Sequence, residues 1–298
     1  MLRWRLLLGT LIIAGLAGLC WLDVRAATPG LWLVPVAVVA AVLASQEVLR
    51  MARAAGMQAL AWPVYAGNVI MVLAQWQALT DWFHATEAAA TARSPAFALW
   101  PLAIGVLMVF LGEMVRYEKP GGVTANIAAS VFALVYVGVM LAFAVHLRTD
   151  FGMAALATWV IVVKMGDIGA YTVGRIFGRH KLAPRLSPGK TIEGAAGALL
   201  FSCSASWMGL TWLVPAMSSV DPSAAASSPG WGWLPYGLLL GSVGMVGDLA
   251  ESLLKRDVGL KDSSSWMPGF GGVLDILDAL LLSAPVAWMC WQWGLVGK

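Results

Sequence analysis

Long apolar runs constrain this chain more than any other feature of its sequence. They recur along all 298 residues, of which 60% are hydrophobic and only 12% are charged. Soluble domains carry roughly a quarter of charged residues. The composition therefore excludes an ordinary soluble enzyme, a secreted disulfide scaffold and a disordered chain, and it predicts an integral membrane protein.

About nine of these runs are long enough to cross a bilayer, which takes about 20 residues each. Apolar stretches between charged or Pro/Gly breaks lie at 5–22, 31–49, 57–79, 95–115, 123–146, 152–174, 192–215, 233–253 and 273–295. We therefore predict an all-α fold, a polytopic bundle of about nine transmembrane helices. Residues 1–120 would form the N-terminal helices, and residues 121–298 a catalytic region.

The positions of Lys and Arg orient this bundle. With the N-terminus in the cytoplasm, the cytoplasmic side carries 14 of the 19 basic residues, the outer side carries four, and Lys164 lies within a span. Such an excess is the rule for cytoplasmic connections. We expect a protein of the cell (inner or plasma) membrane with its active site on the cytoplasmic side, in loops 175–191 and 254–272. The net charge of +3 is too small and dispersed to indicate a nucleic-acid partner.

Charged residues inside predicted spans are the first candidates for function. Lys164, Asp167 and Tyr171 are spaced i, i+3 and i+7, which places them on one face of the sixth span. Charges within a membrane are costly and indicate a functional site by default, although a Lys–Asp pair that only neutralises itself is the alternative. A basic loop follows directly and favours the site-lining role.

That basic loop, residues 174–194, combines glycines with a Ser-Pro-Gly turn. Ser187, Lys190 and Thr191 precede the seventh span, and the free N–H groups of a helix N-terminus attract anions. We therefore expect an anion cradle here. It is not a P-loop, because Pro184 stands where the first glycine would be. A plain cytoplasmic loop that obeys the charge rule is the alternative.

Two acidic helix faces flank a second basic loop near the C-terminus. Carboxylates in such a pattern hold Mg²⁺, the metal bridges phosphates, and Lys and Arg neutralise the remaining charge. A structural network of salt bridges is the alternative. The residues are Asp248, Glu251, Ser252, Lys255, Arg256, Lys261, Asp275 and Asp278.

In these residues the chain resembles the phosphatidate cytidylyltransferases, or CDP-diacylglycerol synthases. Their C-terminal signature is matched in register by Ser252, Lys255, Arg256, Lys261, Asp262, Pro268, Gly269, Gly271, Gly272, Leu274, Asp275 and Asp278. The motifs Gly-Asp-x-Gly-Ala-Tyr at 166–171, Gly-Arg-x-Phe-Gly-Arg at 174–179 and Ser-Pro-Gly-Lys-Thr-x-Glu-Gly at 187–194 are also similar to that family. The resemblance covers residues 160–295, and earlier residues resemble the family only in hydropathy.

The resemblance implies a nucleotidyltransferase of phospholipid biosynthesis. A phosphatidate oxygen attacks the α-phosphorus of CTP, and CDP-diacylglycerol and pyrophosphate form. The partners implied are CTP, phosphatidate or a related anionic lipid, the bilayer and a second copy in a homodimer. The implied cofactor is Mg²⁺, with K⁺ as a candidate second cation.

The resemblance also implies roles for single residues. The expected metal ligands are Asp248 and Asp275, with Asp278 and Glu251 beside them. The expected catalytic set is Asp248, Asp275, Asp278, Lys255 and Arg256. Further contacts to the nucleotide or to phosphate are expected from Lys164, Asp167, Ser187, Lys190, Thr191, Ser252 and Lys261.

Two residues depart from the family signature. Phe270 stands where the signature has His, and Ile276 where it has Arg. Both changes leave the aspartates and the basic loop intact, so they bear on the lipid substrate more than on the reaction. The alternatives are a CTP-dependent polyprenol or phytol kinase, a CDP-archaeol synthase, a transporter and an inactive paralogue.

Overall fold

The computed structural model describes residues 2–76, 99–218, 230–264 and 271–296, and helices make up most of them. This confirms the predicted all-α class. The helices are α1 (Leu2–Val24), α2 (Leu33–Ala54), α3 (Ala61–Ala74), α4 (Leu99–Val115), α5 (Val123–Ala133), α6 (Met140–Phe177), α7 (Ile192–Met208), α8 (Val214–Ser218), α9 (Trp233–Asp257) and α10 (Val273–Gln292).

Five helical stretches in the described part of the chain are long and apolar enough to cross a membrane. They are Leu33–Ala54, Val123–Phe177, Ile192–Met217, Trp233–Asp257 and Val273–Gln292. Three apolar helices are shorter: Gly9–Val24, Ala61–Ala74 and Leu99–Val115. These helices support a polytopic membrane protein, whereas the number of nine spans and the cytoplasmic N-terminus stay predictions.

The sequence predicts a connection between the fifth and sixth spans at residues 147–151, and the structure places the break one residue later. The chain stays helical through these residues and breaks only at Gly152, which has φ +84° and ψ −178°. Residues with a Cβ rarely adopt that conformation, so one glycine provides the bend. A π-helical turn, Leu134–Val139, joins α5 to α6, and another, Gly209–Leu213, joins α7 to α8.

The third predicted span, 57–79, is longer than the helix that the structure shows. Helix α3 begins at Ala61, because Leu60 is extended, with φ −74° and ψ 127°. Pro63 falls in the first turn of the helix, where its missing N–H leaves no intrahelical hydrogen bond unmade. Residues 77–79 lie outside the described residues.

The basic loop before α7 contains a β-hairpin that the sequence analysis did not predict. Strands β1 (Lys181–Ala183) and β2 (Ser187–Thr191) pair antiparallel, with Lys181 opposite Thr191. Thr191 caps α7, since its Oγ1 accepts a hydrogen bond of 3.1 Å from the Gly194 N–H. The prediction that Thr191 opens this helix is therefore confirmed.

The chain forms two compact units. Unit one comprises residues 1–149 and 257–275, and unit two comprises residues 150–256 and 276–298. The last helix, α10, starts in unit one and continues in unit two. The predicted division at residue 120 stays a prediction.

Close helix approach at small residues builds the core of unit two. Helices α6 and α7 meet at Gly169 and Gly197, and a Cβ on Gly169 would lie 2.5 Å from the Gly197 carbonyl oxygen. Ser202 of α7 donates a hydrogen bond of 3.1 Å to the Val162 carbonyl on α6. Backbones at this distance hold the polar end of α6 beside the hairpin and the start of α7.

Unit one contains a buried ion pair between Asp23 and Arg148. Arg148 lies in the predicted connection at residues 147–151, yet it is only 3% exposed, and Asp23 is fully buried. Asp23 Oδ2 accepts hydrogen bonds from Arg148 Nε at 2.8 Å and from the Gly30 N–H at 3.1 Å. Its Oδ1 accepts one from the Trp32 N–H at 3.0 Å, so the pair ties the α1–α2 connection to α6.

Arg148→Met is expected to destabilise the protein by about 3–5 kcal/mol, because it leaves the Asp23 carboxylate buried without its cation. Thermal unfolding in detergent measures the effect. The double variant Asp23→Asn/Arg148→Met removes both charges and should recover part of the loss. Wild-type unfolding of Arg148→Met would show that the pair adds no stability.

Candidate active site

A cavity in unit two gathers several of the residues selected from the sequence. It has a volume of about 480 Å³ and is lined by residues of α6, the hairpin, α7 and α9. Asp167, Lys190, Thr191 and Asp248 contribute side chains. A cavity of this size suits a small-molecule ligand.

Three carboxylates and two lysines form one charged group at this cavity, which we call the carboxylate cluster: Asp167, Asp248, Asp278, Lys164 and Lys190. Lys190 Nζ lies 2.8 Å from Asp248 Oδ2, although without good hydrogen-bond geometry. Lys164 Nζ donates to Asp167 Oδ2 at 3.1 Å. The Asp278 carboxylate interacts electrostatically with Lys164, Asp248 and Asp167. The cluster therefore brings together five predicted site residues from four separate elements.

A tight helix contact positions Asp248 and Asp278. Gly247 lies against the first turns of α10, where a Cβ on residue 247 would come within 2.6 Å of the Asp278 carbonyl oxygen. The absence of a side chain at Gly247 thus lets α9 and α10 approach. Their neighbouring aspartates consequently lie within electrostatic range of each other.

Lys164 also connects α6 to the backbone of α10. Its Nζ donates a hydrogen bond of 3.0 Å to the Ile276 carbonyl oxygen. Ile276 occupies the position where the signature has Arg. The structure therefore places an ammonium group next to the residue at which a guanidinium group is missing.

The basic residues at the end of α9 lie in its last turn, not in a loop as predicted. Lys255 Nζ donates to Glu251 Oε2 at 2.5 Å, and both side chains are buried. Arg256 is exposed, and its Nε donates to the Leu186 carbonyl in the hairpin turn at 3.3 Å. Ser252 is buried on the same helix.

Asp275 and Lys261 belong to unit one. Asp275 Oδ2 accepts hydrogen bonds from the Gly272 N–H at 2.8 Å, the Ser263 N–H at 3.0 Å and Ser263 Oγ at 2.6 Å. Lys261 and Asp262 are exposed. Phe270, the other departure from the signature, lies outside the described residues.

Mg²⁺ prefers hard oxygen ligands such as the carboxylate oxygens of Asp and Glu. In the described ranges, no three or more His, Cys, Asp or Glu side chains are arranged to hold a metal ion. Asp248 and Asp278 nevertheless fit by chemistry and by their shared cluster. Glu251 is engaged by Lys255, and Asp275 Oδ2 already accepts three hydrogen bonds, so these two predicted ligands fit less well.

Comparison with known sequences identifies the family. Residues 4–293 match the sequence profile of the Cytidylyltransferase family. The chain belongs to this family. The match to the family profile covers nearly the whole chain. It includes the N-terminal helices, which resembled the family only in hydropathy.

Several relatives of this cytidylyltransferase family member are named phosphatidate cytidylyltransferase. The chain is 32% identical over 286 residues to "Phosphatidate cytidylyltransferase" of Mycobacterium bovis, covering 93% of this chain and 86% of the relative. The Mycobacterium tuberculosis protein of that name is also 32% identical, over 93% of this chain and 80% of its own length. The Thermotoga maritima protein is 32% identical over 64% of this chain and 69% of its own. These names do not favour the kinase or transporter alternatives.

Glu47 on α2 is a buried carboxylate that was not predicted as a site residue of this cytidylyltransferase family member. It is 4% exposed and accepts hydrogen bonds from Ser263 Oγ, Val273 N–H and Leu274 N–H, which adjoin Asp275. A signal was present, because Glu47 lies inside the predicted span 31–49. Like Lys164 and Asp167, it is a charged residue inside a predicted span, and such charges indicate a functional site by default.

Proposed function

We propose that this protein transfers the cytidylyl group of CTP to phosphatidate, which forms CDP-diacylglycerol and pyrophosphate for phospholipid biosynthesis. The observation that carries the proposal is the carboxylate cluster at a cavity of about 480 Å³ in a member of this family. The relatives' names, cited above, agree with this reaction.

The reaction requires positioning and charge neutralisation more than a covalent nucleophile. A phosphatidate oxygen forms a bond to the α-phosphorus of CTP, and the bond from that phosphorus to the bridging oxygen breaks, so pyrophosphate leaves with its electrons. Because the attacking oxygen is already anionic, no strong general base is needed. Catalysis then rests on alignment of the two substrates and on cations near their phosphates.

Lys190 and Thr191 are suited to hold phosphate at the cavity wall. Lys190 is held there by Asp248, and Thr191 caps the helix whose N-terminal N–H groups attract anions. Arg175 lines the same cavity and donates a hydrogen bond of 2.7 Å to the Tyr171 hydroxyl. We propose that these side chains bind the nucleotide phosphates and that Ser187, beside them in β2, supports the loop.

Lys164 is proposed to neutralise the carboxylate cluster. Its ammonium group contacts Asp167 and the backbone of α10, and it acts electrostatically on Asp278. Without it, the cluster would keep one lysine, Lys190, for three carboxylates. Lys164 therefore takes the place of the positive charge that Ile276 lacks.

We propose Mg²⁺ as the cofactor, with Asp248 and Asp278 as its protein ligands and K⁺ as a candidate second cation. When bound, the metal would neutralise negative charge on the CTP phosphates. Asp275 stays a predicted metal ligand, and Glu251 a predicted neighbour of the metal. Ser252, Lys255, Arg256 and Lys261 stay predicted phosphate contacts, although Lys255 is engaged by Glu251.

The location and assembly of the protein are part of the same proposal. CTP is a soluble nucleotide, and the positive-inside distribution of Lys and Arg supports an active site on the cytoplasmic side of the cell membrane. A homodimer is proposed from the family resemblance. Related anionic lipids are candidate substrates beside phosphatidate, because two signature positions differ.

The proposed reaction is tested with purified protein in mixed micelles that contain CTP and Mg²⁺. Pyrophosphate and CDP-diacylglycerol should appear together, only when phosphatidate is present, and EDTA should abolish both. Release of CDP with phosphorylation of an added polyprenol would instead identify the kinase reaction. Absence of turnover with every anionic lipid would indicate an inactive paralogue.

A further inference from the structure

Glu47 stands out as a buried carboxylate in the half of the chain to which no chemistry was assigned. It lies on α2, and all three of its hydrogen-bond donors come from residues more than 200 positions later. Ser263 Oγ donates to Oε2 at 2.7 Å, the Val273 N–H to Oε1 at 3.0 Å, and the Leu274 N–H to Oε2 at 2.9 Å. Both carboxylate oxygens are therefore committed to the start of α10 and the segment before it.

These contacts replace an ordinary helix cap. The first N–H groups of a helix have no partner within the helix, and a side chain at the preceding residue usually accepts from them. That residue is Gly272, which has no side chain. Asp275 accepts from the Gly272 N–H, and Glu47 accepts from the next two, so the N-terminus of α10 is capped from another helix. The negative charge of Glu47 also matches the positive end of the helix dipole.

The same geometry explains why residue 272 is glycine. A Cβ there would overlap both carboxylate oxygens of Glu47 and the Ser263 hydroxyl. At Gly271, φ is +84°, and a Cβ would overlap the Asp275 carboxylate. The paired glycines of the signature thus leave room for the carboxylates of Glu47 and Asp275.

Ser263 connects Glu47 to Asp275. Its Oγ lies 2.7 Å from Glu47 Oε2 and 2.6 Å from Asp275 Oδ2, and its N–H donates to Asp275 Oδ2 at 3.0 Å. A hydroxyl has one proton and can donate it to only one carboxylate at a time. The two carboxylates therefore share one hydroxyl, and Glu47 acts on Asp275 through the position at which it holds Ser263, whose N–H also donates to Asp275.

We propose that Glu47 is a positioning residue for the transferase reaction: it fixes the first turn of α10 and, through Ser263, the Asp275 carboxylate. This inference rests on the proposed function, since Asp275 belongs to the predicted catalytic set. Glu47 itself contacts neither of the reacting substrates in this proposal.

The first test combines activity with hydrogen–deuterium exchange on the full-length protein. Glu47→Ala should lower kcat about tenfold or more with little change in KM for CTP, because alignment is lost and not nucleotide binding. Exchange of the amides of residues 272–275 should rise about tenfold, as expected from loss of a helix cap, while exchange in α3 and α4 stays at the wild-type rate. A kcat above half of wild type, or unchanged exchange at 272–275, would overturn the proposal.

A matched control removes a different buried carboxylate from the same unit. Glu113 on α4 is 3% exposed and pairs with Arg116 at 2.7 Å. Glu113→Gln should leave exchange at 272–275 and kcat within about twofold of wild type, because it contacts neither α10 nor Ser263. An equal loosening of 272–275 in this variant would mean that any buried charge loss acts there, which would overturn the specific role of Glu47.

A second-site rescue distinguishes positioning from general instability. Gly272→Ser alone should be nearly inactive, since its Cβ collides with Glu47. In Glu47→Ala/Gly272→Ser, the collision with Glu47 is gone, the Ser263 hydroxyl can rotate into the space that Glu47 leaves, and the new serine hydroxyl can cap α10 itself. The double variant should therefore exchange more slowly at 273–275 and turn over faster than either single variant. A double variant no better than the worse single one would overturn the proposal.

The exchange experiment does not require turnover, so the two proposals can fail separately. If wild-type protein forms no CDP-diacylglycerol, the proposed function fails. If wild-type protein is active and Glu47→Ala changes neither kcat nor exchange, the positioning role fails.

Discussion

Asp248→Asn is expected to lower kcat about 10³-fold or more, since a lost metal ligand removes several kcal/mol of charge stabilisation. The Asp248 carboxylate lines the cavity, pairs with Lys190 and lies in the cluster with Asp278. An amide of the same shape has no negative charge for a metal or for the Lys190 ammonium. The side chain is 35% exposed, so the protein should stay folded in the membrane.

Steady-state turnover of CTP and phosphatidate in mixed micelles measures this loss. The matched control is Asp150→Asn in the same unit, where the exposed carboxylate accepts a hydrogen bond from Trp288 Nε1 at 3.0 Å. It should retain activity within about twofold. Retention of more than about a tenth of the activity by Asp248→Asn would remove this residue from the catalytic site.

Lys164→Met is expected to lower kcat/KM about 100-fold, which corresponds to about 2.7 kcal/mol of lost stabilisation. The physical reason is that the cluster of three carboxylates would lose one of its two lysines, the one that acts on Asp278. Removing Lys164 also removes the hydrogen bond to the Ile276 carbonyl. Methionine keeps the length and the apolar stem of the side chain, so packing between α6 and α10 should be retained.

Arginine at position 276 is expected to rescue this loss, because the family signature has arginine there. Lys164→Met/Ile276→Arg should recover at least about tenfold of the kcat/KM lost in Lys164→Met. Ile276→Arg alone, with both cations present, should stay within about threefold of wild type. If the double variant is no more active than Lys164→Met, Lys164 does not substitute for the signature arginine.

The parts of the fold that depend on local sequence were predictable from it. Hydropathy predicted the positions of α2, α9 and α10 closely, because a helix in lipid must satisfy its own backbone hydrogen bonds over an apolar run. Thr191 was recognised as the residue that opens α7. The spacing of Lys164 and Asp167 likewise predicted their contact, since residues three apart in a helix are neighbours.

Pairings across long sequence distances were not predictable in the same way. Nothing near Glu47 in sequence indicates Ser263, and nothing near Asp23 indicates Arg148. Lys190 was expected to contact phosphate, but its contact with Asp248 depends on how α9 packs against the hairpin. Hydropathy and spacing describe one segment at a time, whereas these contacts arise from packing between segments.

The break in the long helical stretch shows that hydropathy does not locate a bend accurately even within a single segment. Hydropathy separated 123–146 from 152–174 because polar residues lie between them. The structure keeps those polar residues helical, and Arg148 among them is buried by its ion pair with Asp23. The bend falls instead on Gly152, because the backbone conformation at the bend is one that glycine adopts and residues with a Cβ rarely do. The polarity of the neighbouring residues does not determine its position.

The position of a radioactive label tests the central claim most directly. Purified protein is given phosphatidate and CTP labelled with ³²P at either the α- or the γ-phosphate, and lipid and aqueous products are separated. Cytidylyl transfer predicts that the α-label enters the lipid as CDP-diacylglycerol and that the γ-label leaves as pyrophosphate. Label from the γ-phosphate in the lipid, with CDP as the soluble product, would contradict the account.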